Sequence, residues 1–476
     1  MKKKYSILIT LAITYLFVVL LSWFIPNGTF YYGSYSKGEI DPIGIFEFIK
    51  IPFWSLSYVL QFGLVFLLIG GFYGVLNKTG VYTNLLNAIT KKFKKKPQTF
   101  AIITIILFTL LSSFLGSSTY LFLFVPLFVS ALLMLGYSKV GALLATVGSL
   151  LIGTIGSTYG FDISGYINYY LSLDVHTNIF VKLALLVAVT SLLIVFVLKT
   201  HTSKLNKKEE KKEKEELEIP LYEENSVKGK SFIPMIVILI MGAIIILVGT
   251  FSWDEVFGIT IFKNSYNALM QSEVLGYPIF ANILGGLTAI GSWTSQDVSV
   301  VIILMTFVIG WLYSVSFKDI FESFIDGAKE MVPTFIYVTL STTLLMLLIN
   351  SSTGQFINYT IMNFFLTLTD GFNVLTYGLA AFVNSFFVNY FPYFSGDVLQ
   401  IGQIFYNDAT VYPVMGLITQ TIYGVAMFFL PTSILLIAGL SYLKISFKDW
   451  MKSIWRFLLC LLGVVVIMIG LATLFL

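Results

Sequence analysis

The chain has 476 residues and a net charge of +4, with 57% hydrophobic and only 11% charged residues. A soluble domain carries about 25% charged and about 45–50% apolar residues, so this chain cannot cover itself with a polar surface and reads as an integral membrane protein. One cysteine, Cys460, excludes a disulfide framework, an iron–sulfur centre and a cysteine-rich zinc site, and two histidines argue against a histidine metal site or an acid–base relay.

Apolar runs of about 20 residues, the length of a membrane-crossing helix, recur from end to end. The first covers 5–25, behind Lys2, Lys3 and Lys4. Trp23-Phe24-Ile25-Pro26 stands where a signal peptide would have a small-residue cleavage site, so this helix is read as retained. Further spans are expected at 58–76, 140–155, 179–198, 232–250, 300–313, 334–349, 419–440 and 457–476. Two regions do not parse as plain spans. The run 100–135 is broken by Gly116-Ser117-Ser118-Thr119, and 377–404 is broken by Tyr390-Phe391-Pro392-Tyr393-Phe394-Ser395-Gly396-Asp397. Non-helical backbone at membrane depth survives only where protein or a watery cavity satisfies it. Both are therefore expected to be re-entrant hairpins with polar tips, two ordinary tight-turned helical pairs being the alternative.

Lysine placement orients the chain. With the amino terminus in the cytoplasm and each hairpin returning to its own side, every basic residue but Lys37, Lys50, Lys182 and Lys263 falls inside, as the positive-inside rule requires. The expected organisation is a first membrane repeat over 1–198, a charged cytoplasmic linker over 199–230, and a second repeat over 231–476. The mixed polar and apolar stretch 251–299 is suited to interfacial amphipathic helices.

The second half echoes the first. Ile45-Phe46-Glu47 returns as Ile320-Phe321-Glu322, Thr79-Gly80 as Thr353-Gly354, and the tip serine Ser117 as Ser395, all at nearly one offset. The lysine topology sets the two copies in opposite senses. Inverted repeats whose broken elements meet near the midplane are the design of many secondary transporters.

Each half pairs its hairpin tip with a later polar break: Ser117, Ser118 and Thr119 with Gly156, Ser157 and Thr158; Ser395, Gly396 and Asp397 with Thr432 and Ser433. Freed N–H groups in such breaks hold a carboxylate, and freed carbonyls and hydroxyls hold a cation. These residues, with Asn389 in the second hairpin, are the candidate substrate site. Close helix packing in lipid explains small hydroxyl residues equally well one at a time. Asp397 and Asp162, ionisable groups in apolar context, are the candidate counter-charges and ion-coupling groups. Tyr390, Phe391, Tyr393 and Phe394 beside Asp397 are placed to cage a cationic group.

Four stretches carry a family resemblance: residues 68–80, reading LIGGFYGVLNKTG; Phe324-Ile325-Asp326-Gly327-Ala328-Lys329; Leu430-Pro431-Thr432-Ser433 with Ala438-Gly439-Leu440; and 447–450 leading into the last helix. Over nearly the whole chain, in order, the sequence resembles the YfcC/DcuC-type carriers of the ion transporter superfamily. The resemblance implies an all-α, dimeric plasma-membrane carrier in which a mobile part holding both hairpins moves elevator-like against a scaffold. It implies exchange of basic amino acids such as arginine and ornithine, or transport of other amino acids or dicarboxylates. Both tips depart from the family pattern: Ser117-Ser118-Thr119-Tyr120 is less acidic, and an aromatic run with Asp397 stands where relatives look like Ser-Gly-x-Gly. The expected function is secondary transport of small charged organic solutes, amino acids before others. Na+- or H+-coupled dicarboxylate uptake is the alternative, and a channel a weaker one. No nucleophile, paired acid–base or metal motif points to an enzyme, and the lysines follow topology rather than forming a nucleic-acid groove. No cofactor is expected beyond Na+ or H+ as coupling ion.

Overall fold

The computed structural model describes residues 6–31, 34–116, 119–201, 219–350, 353–388 and 390–473. Among them seven helices are long and apolar enough to cross a membrane. The one sheet they contain is a two-stranded ribbon, β1 (Gly28–Tyr31) against β2 (Ser34–Lys37), after the first helix α1 (Ser6–Leu21).

The next elements form a series that the chain runs through twice. In the first half α2 (Ile45–Lys78) and α3 (Val81–Phe93) lead to α4 (Pro97–Leu115). A break comes next, then a 3-10 turn at Thr119–Phe124 and α5 (Val125–Met134). After these come α6 (Lys139–Ile155), a π turn at Phe161–Gly165, α7 (Tyr166–Leu171) and α8 (Ile179–Thr200). Between the halves stand α9 (Ile233–Thr250), three short helices α10 (Trp253–Phe257), α11 (Ile261–Gln271) and α12 (Ile279–Ile283), and α13 (Ser295–Leu312). The second half repeats the order: α14 (Phe317–Asn350), α15 (Thr353–Leu366), α16 (Val374–Asn384), a break, α17 (Phe391–Phe405), α18 (Tyr412–Ala426), a break, α19 (Ile434–Tyr442) and α20 (Phe447–Ala472).

Helix α2 and helix α14 are each 34 residues long and cross antiparallel, which sets the two halves in opposite senses. A Cβ on Gly74 would collide with the Ser323 carbonyl, and one on Gly327 with the Gly70 carbonyl. Gly63 faces Phe335 in the same register, and Ser55 Oγ lies 3.3 Å from Thr343 Oγ1. Absent side chains let the two backbones touch, the usual means of tight packing where lipid supplies no hydrophobic drive. The expected spans 58–76 and 334–349 are therefore the membrane portions of longer helices. Glu47, in the first turn of α2, accepts from the Gly44 amide at 3.1 Å and caps that helix.

Both expected hairpins fold back on themselves. Phe128 of α5 packs on Phe100 and Phe108 of α4, with ring centroids 5.8 and 5.2 Å apart. In the second, Gly402 of α17 returns to Tyr377 of α16. The 11-residue α16 is about 16 Å long, half a bilayer core, whereas α4 at 19 residues is long enough to cross. The expected span 419–440 is two helices parted by a break at 427–433, and 251–299 holds α10–α12.

The outer helices face lipid. Ile240, Met241, Ile244 and Ile245 of α9 are each about half exposed, and only 28% of its membrane window is buried, an apolar surface a soluble protein would not show. The charged run 207–218 lies outside the described residues. The segment 219–227 packs on the helices rather than trailing in solvent: Asn77 Nδ2 donates to the Leu221 carbonyl at 3.1 Å and Tyr442 Oη to the Pro220 carbonyl at 3.0 Å. Leu221 is buried there because this segment satisfies its backbone against α2, α3 and α19.

Candidate functional site

The first break is built by Ser113, near the end of α4. Its hydroxyl donates to the Gly156 carbonyl at 2.8 Å, and its own carbonyl accepts from the amides of Thr158 at 3.0 Å and Gly160 at 3.3 Å. The orphan backbone groups of an unwound segment thus find partners on the neighbouring hairpin. A Cβ on Gly160 would lie 2.6 Å from the Gly116 amide nitrogen, so tip and break touch backbone to backbone. Gly116, at φ +92°, needs glycine's freedom to make the turn out of α4.

The second break is held differently. Ser341 Oγ of α14 donates to the Pro431 carbonyl at 2.9 Å, and Trp450 Nε1 of α20 to the Phe428 carbonyl at 2.8 Å. Phe429 sits against Phe382 and Phe386 at the end of α16. Gln420 of α18 crosses to the first half, its amide donating to the carbonyls of Ile155 at 3.0 Å and Ser157 at 2.9 Å. One side chain therefore joins the two halves at the first break.

Between the tips and breaks lies a cavity of about 710 Å³, within the range of a small-ligand site. From the first half Thr119, Asp162 and Tyr166 line it; from the second, Tyr390, Phe391 and Thr432. Its outer wall comes from the segment between the halves, with Trp253, Asp254, Glu255, Lys263 and Trp293. Among the described lining residues the carboxylates are Asp162, Asp254 and Glu255. The single cation, Lys263, is 2.9 Å from Asp254 Oδ2, which raises the Lys263 amine further above its ordinary value. The cavity is therefore aromatic and net acidic.

The expected site residues divide. Thr119, Asp162 and Thr432 reach the cavity. Asp162 lies over Gly116, its Cβ 3.1 Å from where a Cβ there would be. Gly156, Ser157 and Thr158 form the layer behind, with Ser157 and Thr158 fully buried. Ser433 is buried too, its Oγ without a partner among the described residues. Ser395 turns back on its own helix, donating to the Phe391 carbonyl at 2.7 Å, and Gly396 packs on Tyr170. Asp397 does not line the cavity: its Oδ2 accepts from Asn358 Nδ2 of α15 at 2.7 Å. Ser117, Ser118 and Asn389 lie outside the described residues.

Three residues escape the sequence reading. Asn358 is fully buried with Oδ1 unpartnered among the described residues, and Gln420 and Lys182 both approach Ser164 Oγ beside the first break. For Lys182 the available signal was a charged residue inside an otherwise apolar helix; Asn358 and Gln420 stand among other polar residues of their helices and carried no such signal.

Residues 1–474 match the family model DcuC, described as C4-dicarboxylate anaerobic carrier. No curated protein matches the chain. Among solved structures the fold is similar to the YdaH transporter of Alcanivorax borkumensis, described as having an unusual topology. The two share 12% identity over 98% of each chain with a TM-score of 0.44, too loose a likeness to carry weight.

Proposed function

We propose, for a chain that belongs to the DcuC family of carriers, transport of a small organic solute bearing a positive group, with a basic amino acid the best fit. The protein is a multi-pass membrane carrier and not an enzyme; the substrate and its coupling are the proposal. The observation that supports it is the charge of the cavity: three carboxylates against one lysine already paired with Asp254. A cationic solute entering from the outer wall meets Asp254 and Glu255 first and Asp162 deepest, beside Tyr166 and Tyr390, whose rings suit a cation. Thr119 and Thr432 supply neutral hydrogen bonds at the inner end. Gly156, Ser157, Thr158 and Ser433 shape the breaks behind it.

The mechanism that fits two halves of opposite sense is alternating access, with the hairpins moving elevator-like against the α2–α14 frame in a plasma-membrane homodimer whose amino terminus is cytoplasmic. Asp397 with Asn358, away from the cavity, is assigned to coupling by H+ or Na+ rather than to substrate. The second reading, coupled uptake of a dicarboxylate, rests on the description of the family. It would need the N–H donors of the breaks to outweigh the cavity's carboxylates.

Counterflow separates the two. Proteoliposomes preloaded with unlabelled ornithine are expected to accumulate labelled arginine, and those preloaded with succinate not to accumulate labelled succinate. The reverse pattern would overturn the cationic reading.

A further inference from the structure

Lys182, the fourth residue of α8, is 4% exposed, and no described carboxylate lies within ion-pair distance of it. Its Nζ donates to Ser164 Oγ at 3.3 Å, the one hydrogen-bond partner among the described residues for an ammonium with three donors. A buried charge without a counter-charge is costly unless its surroundings solvate it. Ser164, the residue the ammonium reaches, sits among further oxygens. Ser164 Oγ donates to the Ser157 carbonyl at 3.0 Å and lies 3.5 Å from both Ser157 Oγ and Gln420 Oε1. Carbonyl, hydroxyl and amide oxygens from the first break, the π turn and α18 thus gather around Ser164, next to the ammonium, and are of the kind a hard cation takes. The chain supplies the positive charge itself.

We propose that the Lys182 ammonium is the resident cation of this oxygen cluster and holds the first break, and through Gln420 the second half, in the way a bound Na+ would. No external cation is then needed at this position, and coupling by an ion is left to groups elsewhere. The proposal deepens the carrier reading but is tested without transport, so its failure and the failure of that reading are distinguishable.

The test is thermal unfolding of the full-length protein in detergent, in NaCl and in choline chloride at equal ionic strength. Lys182→Ala and Lys182→Gln, which open the cluster, are expected to show a Na+-specific rise in Tm a few degrees larger than that of the wild type. Lys182→Arg should show no such gain, and adding Ser164→Ala to Lys182→Ala should abolish it. Recovery of the neutral variants in NaCl alone would support the proposal equally. Equal Na+ responses in wild type and both neutral variants would overturn it. So would loss of both neutral variants in either salt, since Na+ would then be unable to replace the ammonium.

Discussion

Lys182 and Trp450 hold corresponding places in the two halves: each is the fourth residue of the helix that closes its half, each is buried, and each turns an N–H donor back toward the preceding break. Trp450 reaches the Phe428 carbonyl directly at 2.8 Å, and Lys182 reaches the Ser157 carbonyl through Ser164. The same structural need, an unwound segment with carbonyls to satisfy, is met once by a neutral ring and once by a charge.

Trp450→Phe keeps most of the buried ring and removes the donor. Leaving the Phe428 carbonyl without its partner is expected to cost about 1–3 kcal/mol, read as a lowered Tm in detergent. Trp450→Ala should cost about 3–5 kcal/mol, because a cavity is added to the lost hydrogen bond. Equal losses in the two variants would mean that the hydrogen bond to Phe428 carries the whole effect and the ring volume adds nothing at this position.

Asp162→Asn is expected to reduce uptake of labelled arginine at least about tenfold, the worth of about 1.4 kcal/mol, with protein abundance unchanged. Glu255→Gln, at the outer wall, should raise KM with little effect on kcat, since it is met on the way in. Undiminished uptake by Asp162→Asn would remove that carboxylate from the site.

Asp397→Asn separates coupling from binding. Arginine–ornithine counterflow is expected to persist, while accumulation driven by an imposed proton or Na+ gradient is lost. Asn358→Ala should act in the same direction and less completely, because Asp397 keeps its charge and loses only the 2.7 Å donor. Loss of counterflow in proportion to gradient-driven uptake would place Asp397 at the substrate instead.

His201, just beyond the end of α8, packs with its Nδ1 3.0 Å from Ser138 Oγ, and burial lowers its pKa to about 4 from the usual value near 6.5. The unfolded chain therefore binds the extra proton between those values and the folded one does not, so stability falls as pH drops through that window. The loss should reach on the order of 3 kcal/mol at pH 4 and vanish above about pH 7. His201→Gln is expected to lack this slope in a pH series of Tm values.

Much of the fold was legible because bilayer thickness dictates run length. The interruption of 377–404 was legible but its place was not: the sequence puts it at 390–397, whereas it precedes Phe391. Pro392 and Gly396 lie inside α17, the proline in the first turn where a helix tolerates it. The repeat showed through short motifs at one offset. The site was less legible. A serine in a hydrophobic run reads as a ligand whether it faces a cavity or bends back on its own helix, and Ser395 does the latter. Asp397 reads as a cage beside aromatic residues until the turn of α17 points it at Asn358 instead. Lys182 stands, in the sequence, among the four basic residues left on the outer side by the lysine topology; nothing local distinguishes an ammonium at the membrane surface from one buried against Ser164. The outer wall of the cavity reads as interfacial helix because its partners are distant in sequence.

That wall has a kinetic meaning. The segment from Trp253 to Trp293 separates the two halves in the chain, both of its ends joined to helices that reach the same face, and it contributes Asp254 and Glu255 to the one approach to the cavity that it covers. It belongs to that face alone. KM values measured from the two sides should therefore differ, and trimming residues 259–290 should change entry and exit by the same factor. The final accumulation ratio must stay where the driving gradient sets it, since a passive vestibule alters how fast equilibrium is reached and never where it lies.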